Sequence, residues 1–373
     1  MSKNDKNKLL AEFDKQSAKM EGISLSSPAP AFWLDTGSFV LNKIISGSYM
    51  KGWAQGRLGM LAGPPGAGKS FLAGNAIRIA LALGWGVLVI DSENALDDDF
   101  LTGIGADVID NSAYTYRGVT LITQVVSLVS KFTKIYRELG EGKPYLIVVD
   151  SLDMLQTDSE NEQYESGEIK GDMGQHVRQL KAMLKRFVND VKELNVVMLC
   201  TKQVYKEQDA TMARQSPWVI TESSKFAFSQ ILLVSKLMLK DDKTKLFEGF
   251  VLKARGEKTR FAKPFQQVKI EVPYDTGMDP YTGVLDVAVI EGIVEKNGAW
   301  YTFNGKKFQS GNFSDHQEEV LAELVRREEL DPKAALNVEI VEDEDTSQFV
   351  TAKDIETIRK TRNKKVTVNT EEA

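Results

Sequence analysis

The sequence predicts an α/β protein built on a mostly parallel, twisted sheet flanked by helices. Three observations carry that expectation. Between residues 57 and 239, apolar runs alternate with helical stretches. The runs are apolar at nearly every position, as strands buried on both faces must be. A glycine-rich octapeptide, Gly63-Pro64-Pro65-Gly66-Ala67-Gly68-Lys69-Ser70, lies between the first run and the first helix. Sheets of this kind bind ligands there, at the carboxyl ends of their strands.

Taken in order, residues 4–20 carry Leu9, Leu10, Phe13 and Met20 among charges, a spacing that suits a short amphipathic helix. Such a helix buries little by itself and must dock, either on its own core or on a neighbouring copy. A Ser/Pro linker, 24–30, follows. Strands are expected at 58–62, 87–91, 145–150, 195–200 and 231–235, and helices at 71–83, 120–139 and 173–194. Strands at 249–253 and 267–272 extend the sheet. From 275 to 313 the chain turns rich in Gly, Tyr and turn signals, and 315–330 reads as a charged amphipathic helix. The expected division is therefore an N-terminal helix and linker (1–31), an α/β core (32–274), a small C-terminal α/β module (275–331) and a charged tail (332–373).

Composition narrows the class. Of 373 residues 42% are hydrophobic and 27% charged, with no apolar run long enough to span a membrane. The N-terminus lacks the apolar core of a secretory signal. The single cysteine, Cys200, sits in an apolar run and reads as a small buried hydrophobe, which places the chain in a reducing compartment, the cytosol of a cell or of an infected host. With only His176 and His316 beside it, a zinc site is not expected. A net charge of −6 argues against indiscriminate nucleic-acid binding but leaves room for a local basic groove.

The octapeptide fits G-x-x-x-x-G-K-[ST], a phosphate-binding loop. Its glycines let backbone N–H groups curl around phosphate oxygens, Lys69 meets the outer phosphates, and Ser70 offers a hydroxyl to Mg²⁺. Phe71 continues the helix whose N-terminus faces the anion. A second acidic group is needed for the metal, and Asp150 ends an apolar strand; a helix-capping Asp is the competing reading. Glu93, beyond the strand ending at Asp91, is the carboxylate best placed to orient water at the γ-phosphate, against a capping or surface role. Asp97 and Phe100 could meet an adenine edge and face, although Phe100 fits a core position equally well.

Two further stretches suit a polymer-binding groove. Residues 167–174 are Gly-punctuated and open a helix with Arg178, Lys181, Lys185 and Arg186 on overlapping faces; a solvated helix face is the alternative. Residues 204–224 form a long polar connection carrying Lys206, Met212, Arg214 and Trp218. Gln203, at its root, could sense the γ-phosphate and pass that state to the loop.

The ordered motifs resemble those of the RecA recombinase family, including its phage UvsX-type branch. The likeness runs over 32–301: Ile90-Asp-Ser-Glu-Asn-Ala-Leu-Asp97, Ile147-Val-Val-Asp-Ser151, Gly167-Glu-Ile-Lys-Gly-Asp-Met-Gly174, and most specifically Gly277-Met-Asp-Pro-Tyr-Thr-Gly-Val-Leu-Asp286 with Val294-Glu-Lys-Asn-Gly-Ala-Trp-Tyr301. The resemblance implies a RecA-type fold that binds ATP and Mg²⁺ and hydrolyses ATP on single-stranded DNA. It implies Glu93 as catalytic glutamate, Asp150 as Mg²⁺ carboxylate, and Asp97 and Phe100 as adenine contacts. Met173, Arg178 and Lys185 would belong to the first DNA-binding loop and its helix. Gln203 would link ATP to the second loop, here in Thr-Lys-Gln rather than the usual Asn-Gln. Lys253 and Arg255 would reach the nucleotide of an adjacent subunit, docked through the N-terminal helix. The second loop departs from the family, reading Trp218-Val-Ile-Thr-Glu-Ser-Ser224 in place of a Thr-Gly-Gly run.

The reading is an ATP-dependent recombinase that forms a helical filament on single-stranded DNA and pairs it with homologous duplex. Phosphate contacts from Arg178, Lys185, Lys206 and Arg214 would dominate affinity, and Met173 and Met212 could wedge between bases. Single-strand-binding and loader proteins are further candidate partners, and the cytoplasm is the expected location. Two alternatives stand beside it: a ring helicase or motor on the same core, and a non-hydrolysing regulator of recombination, against which intact Lys69, Ser70, Glu93 and Asp150 speak.

Overall fold

The computed structural model describes residues 3–20, 29–140, 142–167, 173–206, 218–240, 246–330 and 349–351. The chain forms two compact units, Met1–Ala31 and Phe32–Ala373. The first contains helix α1 (Lys3–Ser17). Leu9, Leu10 and Phe13 each leave more than half of their surface exposed.

The second unit opens with a short ribbon, β1 (Trp33–Leu34) with β2 (Trp53–Ala54), enclosing helix α2 (Phe39–Ser46). The main sheet then builds from β3 (Leu58–Gly63), α3 (Lys69–Ala82), β4 (Gly86–Asp91), α4 (Asp98–Gly103), β5 (Tyr114–Gly118), α5 (Ile122–Leu139), β6 (Tyr145–Asp150), α6 (Asp158–Glu165), α7 (Met173–Val191) and β7 (Val196–Gln203). A second ribbon, β8 (Tyr205–Lys206) with β9 (Trp218–Val219), leads through α8 (Glu222–Lys225) to β10 (Gln230–Lys240), β11 (Phe247–Thr259) and β12 (Gln267–Pro273). The strand order is β12-β11-β10-β3-β7-β6-β4-β5. From β10 through β5 every neighbouring pair is parallel, and only β11 runs against its neighbours.

Alternation along these strands makes two apolar faces. Leu61, Val89, Leu146, Val148, Val197, Leu199 and Val234 join the core beneath α2 and α3. Met60, Ile90, Ile147, Val149, Met198, Cys200 and Leu233 join the core beneath α5 and α7. The C-terminal segment, α9 (Val284–Ile290), the meander β13 (Glu295–Asn297), β14 (Trp300–Phe303), β15 (Lys306–Gln309) and α10 (Gln317–Leu330), continues the first of these cores. Lys43 of α2 ties it down by an ion pair to Glu328 at 3.2 Å. Of the expected tail, only β16 (Phe349–Thr351) is described, paired parallel with the end of β10; 332–348 and 352–373 lie outside the described residues.

Three elements depart from expectation for physical reasons. α2 has no polar stripe because residues 40–46 are all buried, so periodicity offers no signal. Ser38 caps it, and Gly47 ends it in the left-handed region at φ 83°. β5, Tyr-Thr-Tyr-Arg-Gly, is an edge strand and needs no aliphatic run. β7 continues three residues past Cys200, through polar Thr201, Lys202 and Gln203, which pair with Leu61, Ala62 and Gly63.

Asn42 is fully buried with all four of its side-chain bonds made. Its Oδ1 accepts from the Thr36 N–H (3.0 Å) and hydroxyl (2.8 Å), and its Nδ2 donates to the Tyr49 carbonyl (2.9 Å) and Asp35 (3.1 Å). Asn42→Ala strands these partners in the core and is expected to cost about 2–3 kcal/mol of stability, measured by chemical denaturation.

Candidate active site

Parallel register brings the strand ends to one edge. Gly63 of β3 lies opposite Gln203 of β7, and Asp91 of β4 opposite Asp150 of β6. The phosphate loop leaves β3 at that edge. A Cβ on Gly63 would stand 2.5 Å from the Val234 carbonyl of β10, so the neighbouring backbone excludes any side chain. Gly68, at φ 93°, turns the chain into α3 in a conformation only glycine adopts cheaply. Pro64, Pro65, Gly66 and Ala67 complete the loop, with Pro65 and Gly66 exposed at its tip.

Lys69 is buried, and its Nζ donates to the carbonyls of Gly63 (3.1 Å) and Pro64 (3.0 Å). Burial lowers its pKa, against the upward pull of the Glu93, Asp150 and Asp153 carboxylates. All three acidic groups therefore face the loop lysine. Asp150 is itself buried, with Oδ1 accepting the Thr201 hydroxyl. Its Oδ2 is buried without a hydrogen-bond partner, although the Ser70 hydroxyl is close enough to favour the ionised form. Burial raises the Asp150 pKa, the Thr201 and Ser70 hydroxyls oppose that, and Glu93 and Asp91 add to it. An orphaned carboxylate oxygen beside a serine hydroxyl fits Mg²⁺ held through water and phosphate oxygens. Among the described residues no cluster of three His, Cys, Asp or Glu forms a protein-only cage, and Mg²⁺ at a phosphate site needs none.

Glu93 accepts a hydrogen bond from the Ser151 hydroxyl. The turn beneath it hangs from one buried carboxylate: Asp91 Oδ1 accepts the N–H groups of Glu93 and Asn94 at 2.8 Å each, and Oδ2 that of Leu96 at 3.0 Å. Ser92 Oγ donates to the Ser151 carbonyl at 2.8 Å, and Ser151 N–H donates back to Ser92 Oγ at 3.0 Å. The two strand ends are thus stitched together below Glu93. Asp97 caps α4, accepting the Phe100 N–H at 2.7 Å, and is exposed. Phe100 packs on α3, where a Cβ at Gly74 would come within 3.2 Å of its ring. Phe71 meets Phe250 edge-on at 5.5 Å, and Phe250 lies 6.2 Å from the exposed ring of Tyr274.

On α7, Leu180, Met183, Leu184 and Phe187 are buried while Arg178, Lys181, Lys185 and Arg186 are exposed. Arg178 donates to the Gly174 carbonyl (3.1 Å), Arg186 pairs with Asp190 (3.0 Å), and Lys181 lies over the Phe226 ring (5.6 Å). Of Met173 and Lys206 only the backbone is described; 168–172 and 207–217, with Met212 and Arg214, lie outside the described residues.

Arg255 lies within the sheet, on β11. It is buried, ion-paired with Glu257, and 5.5 Å from the Phe265 ring. Its Nε and Nη1 are buried without a hydrogen-bond partner among the described residues. Lys253 is half-buried beside Ser235 and Lys269. At the other end of β11, Lys258 is half-buried, with Nζ on the Lys225 carbonyl at 2.6 Å, and Arg260 is exposed. Sequence reading also missed Asp91, Ser151, Thr201 and the ion pair Asp153–Lys202 (2.5 Å), since each acts through a partner distant in sequence or through backbone N–H groups.

A phosphate loop on β3, a buried carboxylate ending β6 and a tethered glutamate after β4 define a P-loop nucleoside triphosphatase. The comparisons take this further. Residues 8–279 match the RecA N-terminal domain and 282–323 the RecA C-terminal domain. A Protein RecA of Nocardioides sp. is 26% identical over 309 residues, covering 81% of this chain and 82% of that protein. One of Leifsonia xyli subsp. xyli is 26% identical over 327 residues, covering 84% and 86%. One of Paenarthrobacter aurescens is 25% identical over 358 residues, covering 92% and 96%. The chain belongs to the RecA family, P-loop ATPases of DNA recombination and repair.

Two expectations follow from this geometry. Asp91→Asn keeps the size of the side chain but weakens the hold on three N–H groups. It should lower kcat about 10- to 100-fold through misplacement of Glu93, with nucleotide affinity, read by equilibrium binding, nearly unchanged. For Asp150 the ionised form is the metal ligand and burial raises its pKa. Mg²⁺-dependent nucleotide binding should therefore be full at neutral pH and fall as pH drops, beginning above the ordinary carboxylate range, by at most about 10-fold per pH unit. A Mg²⁺ titration across pH checks this, and Asp150→Asn should flatten the profile.

Proposed function

We propose that this protein is a single-stranded-DNA-dependent ATPase that assembles as a helical filament and catalyses homologous pairing and strand exchange. One observation carries the reading: the phosphate loop, Glu93, Asp150 and Gln203 share one sheet edge, and both segments proposed to bind DNA start from that edge. β7 delivers 204–217 directly. Helix α7 must begin there as well, because it returns the chain to the opposite end of the sheet, where parallel β7 starts.

Ser70 and Asp150 are the residues that would hold Mg²⁺, and the loop N–H groups with Lys69 would hold the triphosphate of ATP. When bound, ATP and Mg²⁺ supply the γ-phosphoryl group and the charge that polarises it. Lys69 has only backbone carbonyls to give up, so its charge is free to be redirected. Glu93, held by Ser151, orients the attacking water and takes its proton. Asp97 and Phe100 would border the base. Gln203 carries a side-chain amide with no hydrogen-bond partner among the described residues, available to a γ-phosphate and continuous with the DNA segment. Lys185 and Arg178 present charge to the phosphate backbone, so DNA binding should be salt-sensitive and indifferent to sequence.

Filament assembly accounts for two surfaces. The exposed Leu9, Leu10 and Phe13 of α1 form an apolar helix side suited to a neighbouring copy. A head-to-tail contact sets the nucleotide edge of one subunit against a different surface of the next. The end of β11 lies at the edge away from the phosphate loop, with Thr259 beside Gln230 and Gln230 beside Gly59. Lys258 and Arg260 therefore join Lys253 and Arg255 as candidates for cations that act on a neighbour's nucleotide. The cytoplasm, where DNA is reached directly, is the compartment this activity needs.

The test is ATP turnover with and without single-stranded DNA, with electron microscopy of the same samples. Turnover should rise with DNA, and filaments of variable length should form. Glu93→Gln should lower turnover about 10²- to 10⁴-fold while filaments persist. Closed rings with directional unwinding would instead favour a helicase, and turnover indifferent to both DNA and Glu93→Gln would favour a regulator.

A further inference from the structure

The buried ion pair Asp153–Lys202 belongs to no role assigned above. It lies just past the end of β6. The last paired residues of β6 and β7 are Val149 and Cys200, yet β7 runs on to Gln203. On the β3 side Lys202 and Gln203 still have strand partners, Ala62 and Gly63. On the β6 side the ladder has ended, and other groups must replace it. The Leu152 N–H donates to the Thr201 carbonyl at 3.1 Å. The Gln203 N–H donates to Asp153 Oδ2 at 2.6 Å, while Asp153 Oδ1 takes the Lys202 ammonium at 2.5 Å. One carboxylate thus holds two successive residues of β7, one by side chain and one by backbone.

Stability alone does not account for the pair. The side chains of Lys202 and Asp153 are 6% and 15% exposed, and a buried ion pair commonly gains little over well-packed apolar residues. Its position is more telling. Gln203 lies directly opposite the first glycine of the phosphate loop, and the Asp153 charge is felt at Lys69. Immediately beyond, Val204 is buried, Tyr205 is exposed, and the β8–β9 ribbon closes the root of 207–217.

We propose that Asp153 and Lys202 are positioning residues that fix the end of β7, so that Gln203 and the DNA segment it carries move with the nucleotide site. Lys202 does two things at once: it neutralises a carboxylate that would repel the triphosphate, and it locks that carboxylate onto the Gln203 N–H. This rests on the reading of the protein as a DNA-dependent ATPase.

Charge and position separate in a double variant. Lys202→Met leaves Asp153 uncompensated and should weaken binding of a fluorescent ATP analogue about 10-fold or more. Asp153→Asn with Lys202→Met removes both charges. It should return nucleotide affinity and DNA-free turnover to within about 3-fold of wild type, while stimulation by single-stranded DNA stays at least about 10-fold below it. Lys202→Arg, which keeps a charged donor, should retain stimulation. A double variant with full stimulation would show that the pair only balances charge, and would overturn the proposal. So would parallel loss of DNA-free and stimulated turnover with a lowered unfolding temperature, the mark of a purely structural pair. Wild-type turnover indifferent to single-stranded DNA would instead overturn the DNA-dependent reading and this inference with it.

Discussion

Buried charge at one edge of the sheet is the constraint on which the rest of the structure depends. Lys69, Asp91, Asp150 and Lys202 are all buried there. Each must be answered by a partner, because an unpaired charge in a low dielectric is costly. Asp91 is answered by three N–H groups and so dictates the turn that carries Glu93. Lys202 is answered by Asp153, which also accepts the Gln203 N–H at the end of β7. Asp150 is answered on only one oxygen, and Lys69 only by backbone carbonyls. The incompletely answered charges are the ones nearest the phosphate loop. A Mg²⁺–triphosphate complex supplies complementary charge to both, so the edge is organised around a ligand of that kind.

The parallel sheet makes this economy possible. Strands that end together let residues far apart in sequence, such as Gly63 and Gln203 or Asp91 and Asp150, stand side by side. The two apolar faces hold that register, since a slip by one residue would exchange Leu61 for Met60, and Val148 for Val149, between cores. Packing on both faces thereby secures the alignment of the charged edge.

Much of this was legible in the sequence, and what was not has identifiable causes. The phosphate loop could be read because its function resides in contiguous backbone N–H groups and two side chains. Glu93 and Asp150 could be read because each follows an uninterrupted apolar strand. Cys200 was read as a buried hydrophobe, and it is fully buried with its thiol pKa pushed up by that burial. Gln203 was placed beyond its strand, because Thr-Lys-Gln looks like a polar loop unless a carboxylate 49 residues earlier in the chain, Asp153, is known to receive the lysine. Arg255 enters the site through the family resemblance alone, and the local pattern Lys-Ala-Arg says nothing of its burial. Its burial depends on Glu257 and Phe265, and no spacing rule reveals that the side chain folds back.

The same reasoning bears on why such a site belongs in an assembly. Within one chain Gln203 stands beside the start of the phosphate loop, Asp150 ends β6 and Glu93 follows β4, with Lys69 and Lys202 as buried cations among them. Lys202 is committed to Asp153, and Lys253 is half-buried in β11 between Ser235 and Lys269. Lys69 is held by backbone carbonyls alone, whereas phosphoryl transfer spreads charge over three equatorial oxygens. Lys258 and Arg260 lie at the opposite edge, away from the phosphate loop of their own chain. In the head-to-tail assembly proposed above, a neighbour would turn that separation into complementarity, and hydrolysis would then depend on assembly.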